Sequence, residues 1–212
     1  MVDYVAVAEQ AVQTILAVAE DKSMELVKST KETKVYAQAV PGMHPKRYRI
    51  ESEFDAPPAR VASLMLVSER TKWDEHVKSM KLLETLADGV TVVHTTMNSA
   101  MLGVISSRDF CDAVVFRPLE GTNDLILAGE SIEHSGAPHQ KDVVRGFLHR
   151  GGWIFKSLDN GLRTRMVGVL QVQLGGQLST SSILDTVMPK MQVSLMEDLR
   201  KALKKTVAAA AH

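Results

Sequence analysis

The stretch SSILDTVMPKMQVSLMEDLRKALKK, residues 181–205, constrains the fold of this chain more than any other. Leu184, Met188, Met191, Leu195, Leu199 and Leu203 recur at steps of three or four, which places them on one face of a helix. Asp185, Lys190, Glu197, Asp198, Lys201 and Lys204 occupy the other faces. Ser182 with Asp185 three residues later reads as a capping box. Lys201, Lys204 and Lys205 suit the negative end of the helix dipole. Pro189 removes one backbone donor and predicts a kink. A helix this long, with one apolar and Met-rich stripe, must cover something. The stripe fits an ordinary core, or it fits the lid of an apolar cavity.

Most of the remaining chain has the period of strands. In KRYRIESEF, Tyr48, Ile50, Ser52 and Phe54 alternate with Arg47, Arg49, Glu51 and Glu53, the mark of a half-buried antiparallel strand. Further strands are expected near 24–29, 32–40, 79–86, 90–98, 108–119, 125–134, 143–158 and 162–174, the last two joined by the turn Asp159-Asn160-Gly161. Residues 3–20 read as an amphipathic first helix through Val5, Ala8, Val12, Ile15, Leu16 and Ala19. Pro58 opens a short helix after the third strand. The fold class is therefore α+β, about nine antiparallel strands with a helix at each end, in one domain over 1–212. A sheet that wide curls. A helix laid across it leaves a gap, to be filled by large side chains or by a ligand. Aromatic residues make up only 5% of the chain, and Ala113, Gly129, Gly146, Gly151, Gly152 and Gly168 fall within strands, which leans towards a roomy interior. The 11 methionines give adaptable walls for such a space.

Charge and motif content narrow the function. Lys+Arg and Asp+Glu are both 25, with no block of one sign, so a nucleic-acid footprint is missing and no nucleic-acid partner is expected. Cys111 is the single cysteine, which fits a reducing compartment, and a cytoplasmic location is the expectation. The first residues lack the early positive charge of a secretory signal, and no apolar run reaches the length of a membrane span. The seven histidines show no metal-ligand spacing, and no nucleophile elbow, dinucleotide fingerprint or phosphate loop is present. Cys111 with a distant histidine is a conceivable nucleophile pair, but a strand cysteine reads more simply as inert and buried. No catalytic group, cofactor or metal is expected.

The order Trp73-Asp74, HTTMNSAMLGVISSRDFCD, VVRGFLHRGGW and QLGGQLSTSSILDTVMP resembles the START family, the lipid-transfer domains related to steroidogenic acute regulatory protein. The likeness spans residues 5–205, and its most specific pieces are ISSRDF at 105–110 and VRG at 144–146. The small single-domain members that bind sterols or bile acids look most similar. The resemblance implies a helix-grip fold: a curved nine-stranded antiparallel sheet closed by the C-terminal helix over a tunnel for one lipid. It also implies a gate made by the last helix and the loop 99–107, which brings Met101 and Leu102 to the ligand. Several members carry a buried acid and a buried arginine in the tunnel. By position those sites fall on Thr95 and Val114, so an uncharged tunnel is expected. Gln173, Leu148 and Arg150 depart from the family's usual residues as well.

Alternation along the strands extends the candidate lining. If Thr95 faces in, so do Val93 and Met97; if Val114 faces in, so does Phe116. Met188, Met191 and Leu195 would line the tunnel from the helix, while Trp153 could line it or pack behind the sheet. Arg108 and Asp109 are expected to form a structural ion pair. Asp112 shares the parity of Val114 and, as a costly inward acid, is expected at the strand's end or against Arg108. The leading expectation is a monomeric, non-enzymatic carrier that touches membranes transiently. A sterol or steroid is its first ligand, a carotenoid the second because an uncharged tunnel suits a polyene, and a bile acid or phospholipid the third. A cyclase-like or hydrolase-like enzyme on the same fold and a ligand-gated interaction module are the other classes.

Overall fold

The computed structural model describes residues 2–100, 105–176 and 183–210. The chain opens with helix α1 (Tyr4–Ala19), followed by strands β1 (Glu25–Ser29), β2 (Thr33–Val40) and β3 (Met43–Phe54). Two short helices, α2 (Pro58–Met65) and α3 (Val67–Arg70), precede β4 (Val77–Thr85), β5 (Val90–Met97), β6 (Arg108–Pro118) and β7 (Leu125–Ser131). Then come β8 (Val144–Arg145), β9 (Phe147–Leu158), β10 (Arg163–Gln173) and the last helix, α4 (Ile183–Ala210). Strand order is β1-β2-β3-β10-β9-β7-β6-β5-β4, with every neighbour antiparallel; β8 lies off this path and pairs in parallel with β6.

Alternation sorts the strands into two faces. The inner face carries Val35, Tyr48, Ile50, Phe54, Phe155 and Met166 into one core with α2 and α4. The outer face carries Val90, Val115, Ile126, Ile154, Val167 and Val169 into a second core under α1. Asp3 caps α1 by accepting from the Ala6 N–H at 3.1 Å. Ala8, Ala11, Val12, Ile15, Val18 and Ala19 form its buried stripe. Small residues let the helix approach the sheet closely, whereas Leu16, expected in that stripe, is exposed at its edge. Helix α4 packs on β1, β2, β3 and α2, burying Leu184, Met188, Met196, Leu199 and Leu203. It is continuous through Pro189. The expected capping box begins at Ser182, outside the described residues. Asp185 accepts a hydrogen bond from the Tyr48 hydroxyl at 3.3 Å and lies 3.6 Å from the Lys46 ammonium, which ties the start of the helix to β3.

The strand expected over 143–158 is split at Gly146. Val144–Arg145 leaves the β9 line to pair with Arg108–Asp109 of β6. Two contacts explain the break. A Cβ at Gly146 would stand 2.4 Å from the Phe110 ring, so any side chain there would have to displace that ring. Arg145 also has to reach the Asp109 carboxylate, which it grips with Nε and Nη2 at 2.9 and 3.0 Å. His94 on β5 completes the cluster, its Nε2 lying 2.8 Å from Asp109 Oδ2. Burial alone would raise the Asp109 pKa; the hydrogen bonds and charge of Arg145, then those of His94, outweigh it and hold the carboxyl below its usual range.

The expected Arg108–Asp109 ion pair is therefore corrected. Neighbours on a strand point to opposite faces. Asp109 turns outward to Arg145 and His94. Arg108 turns inward and donates to the carbonyls of Leu174 and Ser106. Asp109→Asn should leave Arg145 only the exposed Glu133 carboxylate, 3.9 Å away, as counter-charge and cost about 3 kcal/mol; urea unfolding of the two proteins measures the difference. At Gly168 the Trp153 ring lies where a Cβ would stand, at 2.2 Å. Gly168→Ala should cost about 1–3 kcal/mol by overpacking, seen as a lower Tm together with a shifted tryptophan emission.

Candidate functional site: an internal cavity beneath the last helix

The inner face of the sheet is not filled. A cavity of about 650 Å³ lies between the sheet, α4 and the α2–α3 segment, within the size range of sites that enclose one small organic molecule. Strand β5 contributes Thr91, Val93, Thr95 and Met97; β6 contributes Arg108, Phe110, Asp112, Val114 and Phe116. Leu127, Leu148, Trp153, Leu170 and Val172 continue the wall across β7, β9 and β10, and α4 closes it with Met188, Met191, Gln192 and Leu195. Met65, Leu66 and Val67, at the junction of α2 and α3, form the remaining side. A second, larger hollow of about 820 Å³ is a surface furrow. Its residues pair across it, Arg163 with Glu53 and Asp55 and Arg165 with Glu51, as a solvated exterior does.

Every expected lining residue within the described chain borders the cavity: Val93, Thr95, Met97, Val114, Phe116, Trp153, Met188, Met191 and Leu195. Met101 and Leu102 lie outside the described residues. Trp153 faces inward, 5% exposed, with its ring lodged over Gly168. The glycines expected to make room divide into two sets. Gly129, Gly151 and Gly152 do line the cavity, whereas Gly146 and Gly168 admit the Phe110 and Trp153 rings. Ala113 faces away, in the core beyond the sheet. The α2–α3 wall escaped the sequence because a short helix read alone gives no sign of which cavity it borders. Its one available signal was the apolar run from Leu64 to Val67.

The expectation of an uncharged lining is corrected too. Thr95 and Val114 carry no charge, but Asp112 and Arg108 stand on the same inward face of β6. Asp112 sits in mid-strand, opposite Val93 on β5 and Ser131 on β7. It does not meet Arg108. Its Oδ1 accepts from the Ser131 hydroxyl at 2.6 Å. Burial pushes its pKa up to about 6, against the opposing Ser131 hydrogen bond and the charges of Arg145 and His94. Cys111 is opposite His94 in the register but fully buried on the outer face, where burial foremost pushes its thiol up to about 11. That thiol is protonated at neutral pH and turned away from the cavity. Among the described residues no cluster of His, Cys, Asp and Glu could hold a metal, and no helix is long and apolar enough to cross a membrane.

An antiparallel sheet gripping a C-terminal helix over an apolar cavity defines the helix-grip class. The START domain family matches residues 5–208, and the chain belongs to that family. Among curated relatives, human StAR-related lipid transfer protein 6 is 27% identical over 205 residues, covering 95% of this chain and 92% of its own length. Bovine (Bos taurus) StAR-related lipid transfer protein 5 is 35% identical over 138 residues, 64% of this chain and 63% of that protein. The solved structure of human StAR-related lipid transfer protein 5 superposes with a TM-score of 0.87 at 24% identity, covering 96% of this chain and 97% of that one. The fold reaches further, to the Zhui aromatase/cyclase of a Streptomyces at a TM-score of 0.52 and 12% identity, covering 77% of this chain and 96% of that one.

The raised pKa of Asp112 has a definite sign. The folded state holds that proton more tightly than the unfolded chain. Asp112 therefore adds stability that is complete below its unfolded pKa near 3.8 and lost as pH rises through about 6. Between pH 7.5 and pH 5 the wild-type protein should gain about 1 kcal/mol relative to Asp112→Asn. Paired denaturant titrations at the two pH values measure this.

Proposed function

We propose that this START protein binds one hydrophobic molecule in the internal cavity and carries it between membranes, with a sterol or steroid as the occupant. The single observation that supports this most is the cavity itself: about 650 Å³, walled mainly by aliphatic, aromatic and methionine side chains and covered by a helix. A ligand there would be held by burial of apolar surface, worth about 25 cal/mol per Å². Val93, Thr95, Met97, Val114, Phe116, Trp153, Met188, Met191 and Leu195 are the proposed contacts. The names of the relatives support transfer as the activity, since StAR-related lipid transfer proteins 5 and 6 and steroidogenic acute regulatory proteins are among them.

Exchange is proposed to occur when α4 loosens at a membrane surface together with the loop 99–107. The bridge between Ala100 and Ile105, both at the cavity wall, supports a role for that loop in exchange. A sterol ranks above a carotenoid because the case for a polyene rested on an uncharged tunnel, and Asp112 and Arg108 face this one.

Val114→Trp tests the reading. The indole would occupy the cavity above Gly129, which stands opposite Val114 in the register. The variant should keep its Tm within a few degrees while sterol binding and vesicle-to-vesicle sterol transfer fall about tenfold or more. Wild-type protein that retains no lipid from a cell extract after gel filtration would sink the carrier reading.

A further inference from the structure

The cavity wall includes the polar side chains of Arg70, Asp74, His76, Asn98, Arg108, Asp112 and Gln192. Arg70 and Asp74 pair at 3.0 Å, Asn98 donates to the Glu75 carbonyl, and Gln192 Oε1 is buried without a hydrogen-bond partner. Arg108 is spent on the carbonyls of Leu174 and Ser106. Asp112 is different. Its neighbours on the same face of β6 are Phe110 and Val114, and Val93 stands across from it on β5. Ser131 is the only hydrogen-bond partner it has among the described residues, and that bond is directional. The Ser131 oxygen accepts from the Leu148 N–H at 2.8 Å, and its single proton goes to Asp112 Oδ1. Ser131 thus orients the carboxyl, and Oδ2 receives no hydrogen bond from the described protein. An inward carboxylate with one oxygen unserved is costly in an apolar cavity. No ion pair balances that cost, and an oriented, half-satisfied acid in a cleft is a mark of a binding site.

We propose that Asp112 is the polar anchor of the cavity, an acceptor that selects a neutral hydroxyl group on an otherwise apolar ligand. This inference rests on the cavity's binding a hydrophobic molecule and specifies which chemistry that molecule presents. Two arginines lie near the carboxyl. Arg108 is on the same strand and face, and Arg145, paired with Asp109, is on the other side of the sheet, where its charge still acts on Asp112. A cationic ligand would meet those charges, so a neutral donor fits better than an ammonium. At pH 7.5 the carboxyl, with its pKa near 6, is ionised and can only accept. A hydroxyl satisfies Oδ2, whereas a ketone or a bare hydrocarbon leaves it unserved. The anchor stands two residues from Val114 on the same face of one strand, a place neither Thr95 nor Val114 can fill with charge.

The test uses the delipidated full chain at pH 7.5 with two probes, cholesterol and the matching ketone cholest-4-en-3-one. Wild type should bind the alcohol about tenfold more tightly than the ketone. Asp112→Asn keeps an acceptor for Ser131 but can turn an amide N–H₂ to the cavity, so the ratio should fall to about one or reverse. An unchanged ratio in Asp112→Asn overturns the proposal. In parallel, wild type and Asp112→Leu are loaded from a total lipid extract and the retained species identified by mass spectrometry, with thermal melting as the check on folding. Wild type should retain hydroxyl-bearing lipids, and Asp112→Leu should lose them or retain donor-free ones. Identical retained sets, or wild-type lipids without a hydroxyl, overturn the anchor and leave the carrier standing. Retention of nothing by either protein overturns both.

Discussion

The contact between Asp109 and Arg145 fixes the register on which the binding face depends. It joins β6 to β8 across a sequence separation of 36 residues, and His94 extends it to β5. Asp109 is more costly to bury without Arg145 and His94, which favours one parity for the strand that carries it. With Asp109 turned outward, Arg108, Phe110, Asp112, Val114 and Phe116 must turn inward. A slip of one residue would exchange the two sets, placing the Asp109 cluster in the cavity and the cavity's apolar wall in the outer core around Cys111 and Ala113. The ISSRDF and VRG segments are thus two halves of one electrostatic clamp. Gly146 belongs to it because the backbone has to pass the Phe110 ring for Arg145 to arrive.

The cavity exists because two packing problems are solved on different parts of one sheet. Helix α4 is anchored over β1, β2 and β3, where Tyr48, Ile50 and Phe54 meet its lower stripe. The sheet continues through β10, β9, β7, β6 and β5, beyond what one helix can fill. Residues at the far side of the α4 stripe, Met188, Met191 and Leu195, therefore face open space. Helix α1 fills the opposite face with small residues, which allows close packing there. The molecule is dense on its outer side and hollow on its inner side, and the hollow is where binding is proposed.

Within that hollow the arrangement of charge is economical. Arg70 pairs with Asp74, Arg108 is tied to backbone carbonyls, and Asp112 is held by one serine whose own acceptor capacity goes to a strand amide. The uncharged residues at 95 and 114 do not make the lining neutral. They leave Asp112 as the ionisable acceptor on the inner face of β6.

The sequence by itself determined the elements and their faces. Strand and helix periods are local properties, so KRYRIESEF, the 181–205 stripe and the inward parities of β5 and β6 could be read from residues a few positions apart. It also disclosed the family, through motifs in a fixed order. What it could not determine were partnerships across the fold. The sequence offers Asp109 its chain neighbour Arg108, whereas its partners come from β5 and β8. Asp112 was placed by the cost of a lone acid, when Ser131 on β7 lowers that cost. Trp153 fits either face by its sequence alone, and Gly168 on β10 gives its ring a place on the inner one; the α2–α3 wall is marked in the sequence only by the apolar run from Leu64 to Val67. Each depends on which strand lies beside which. The tertiary structure alone decides that, because a hydrogen bond or ion pair between distant residues forms only once the sheet has brought them within about 3 Å.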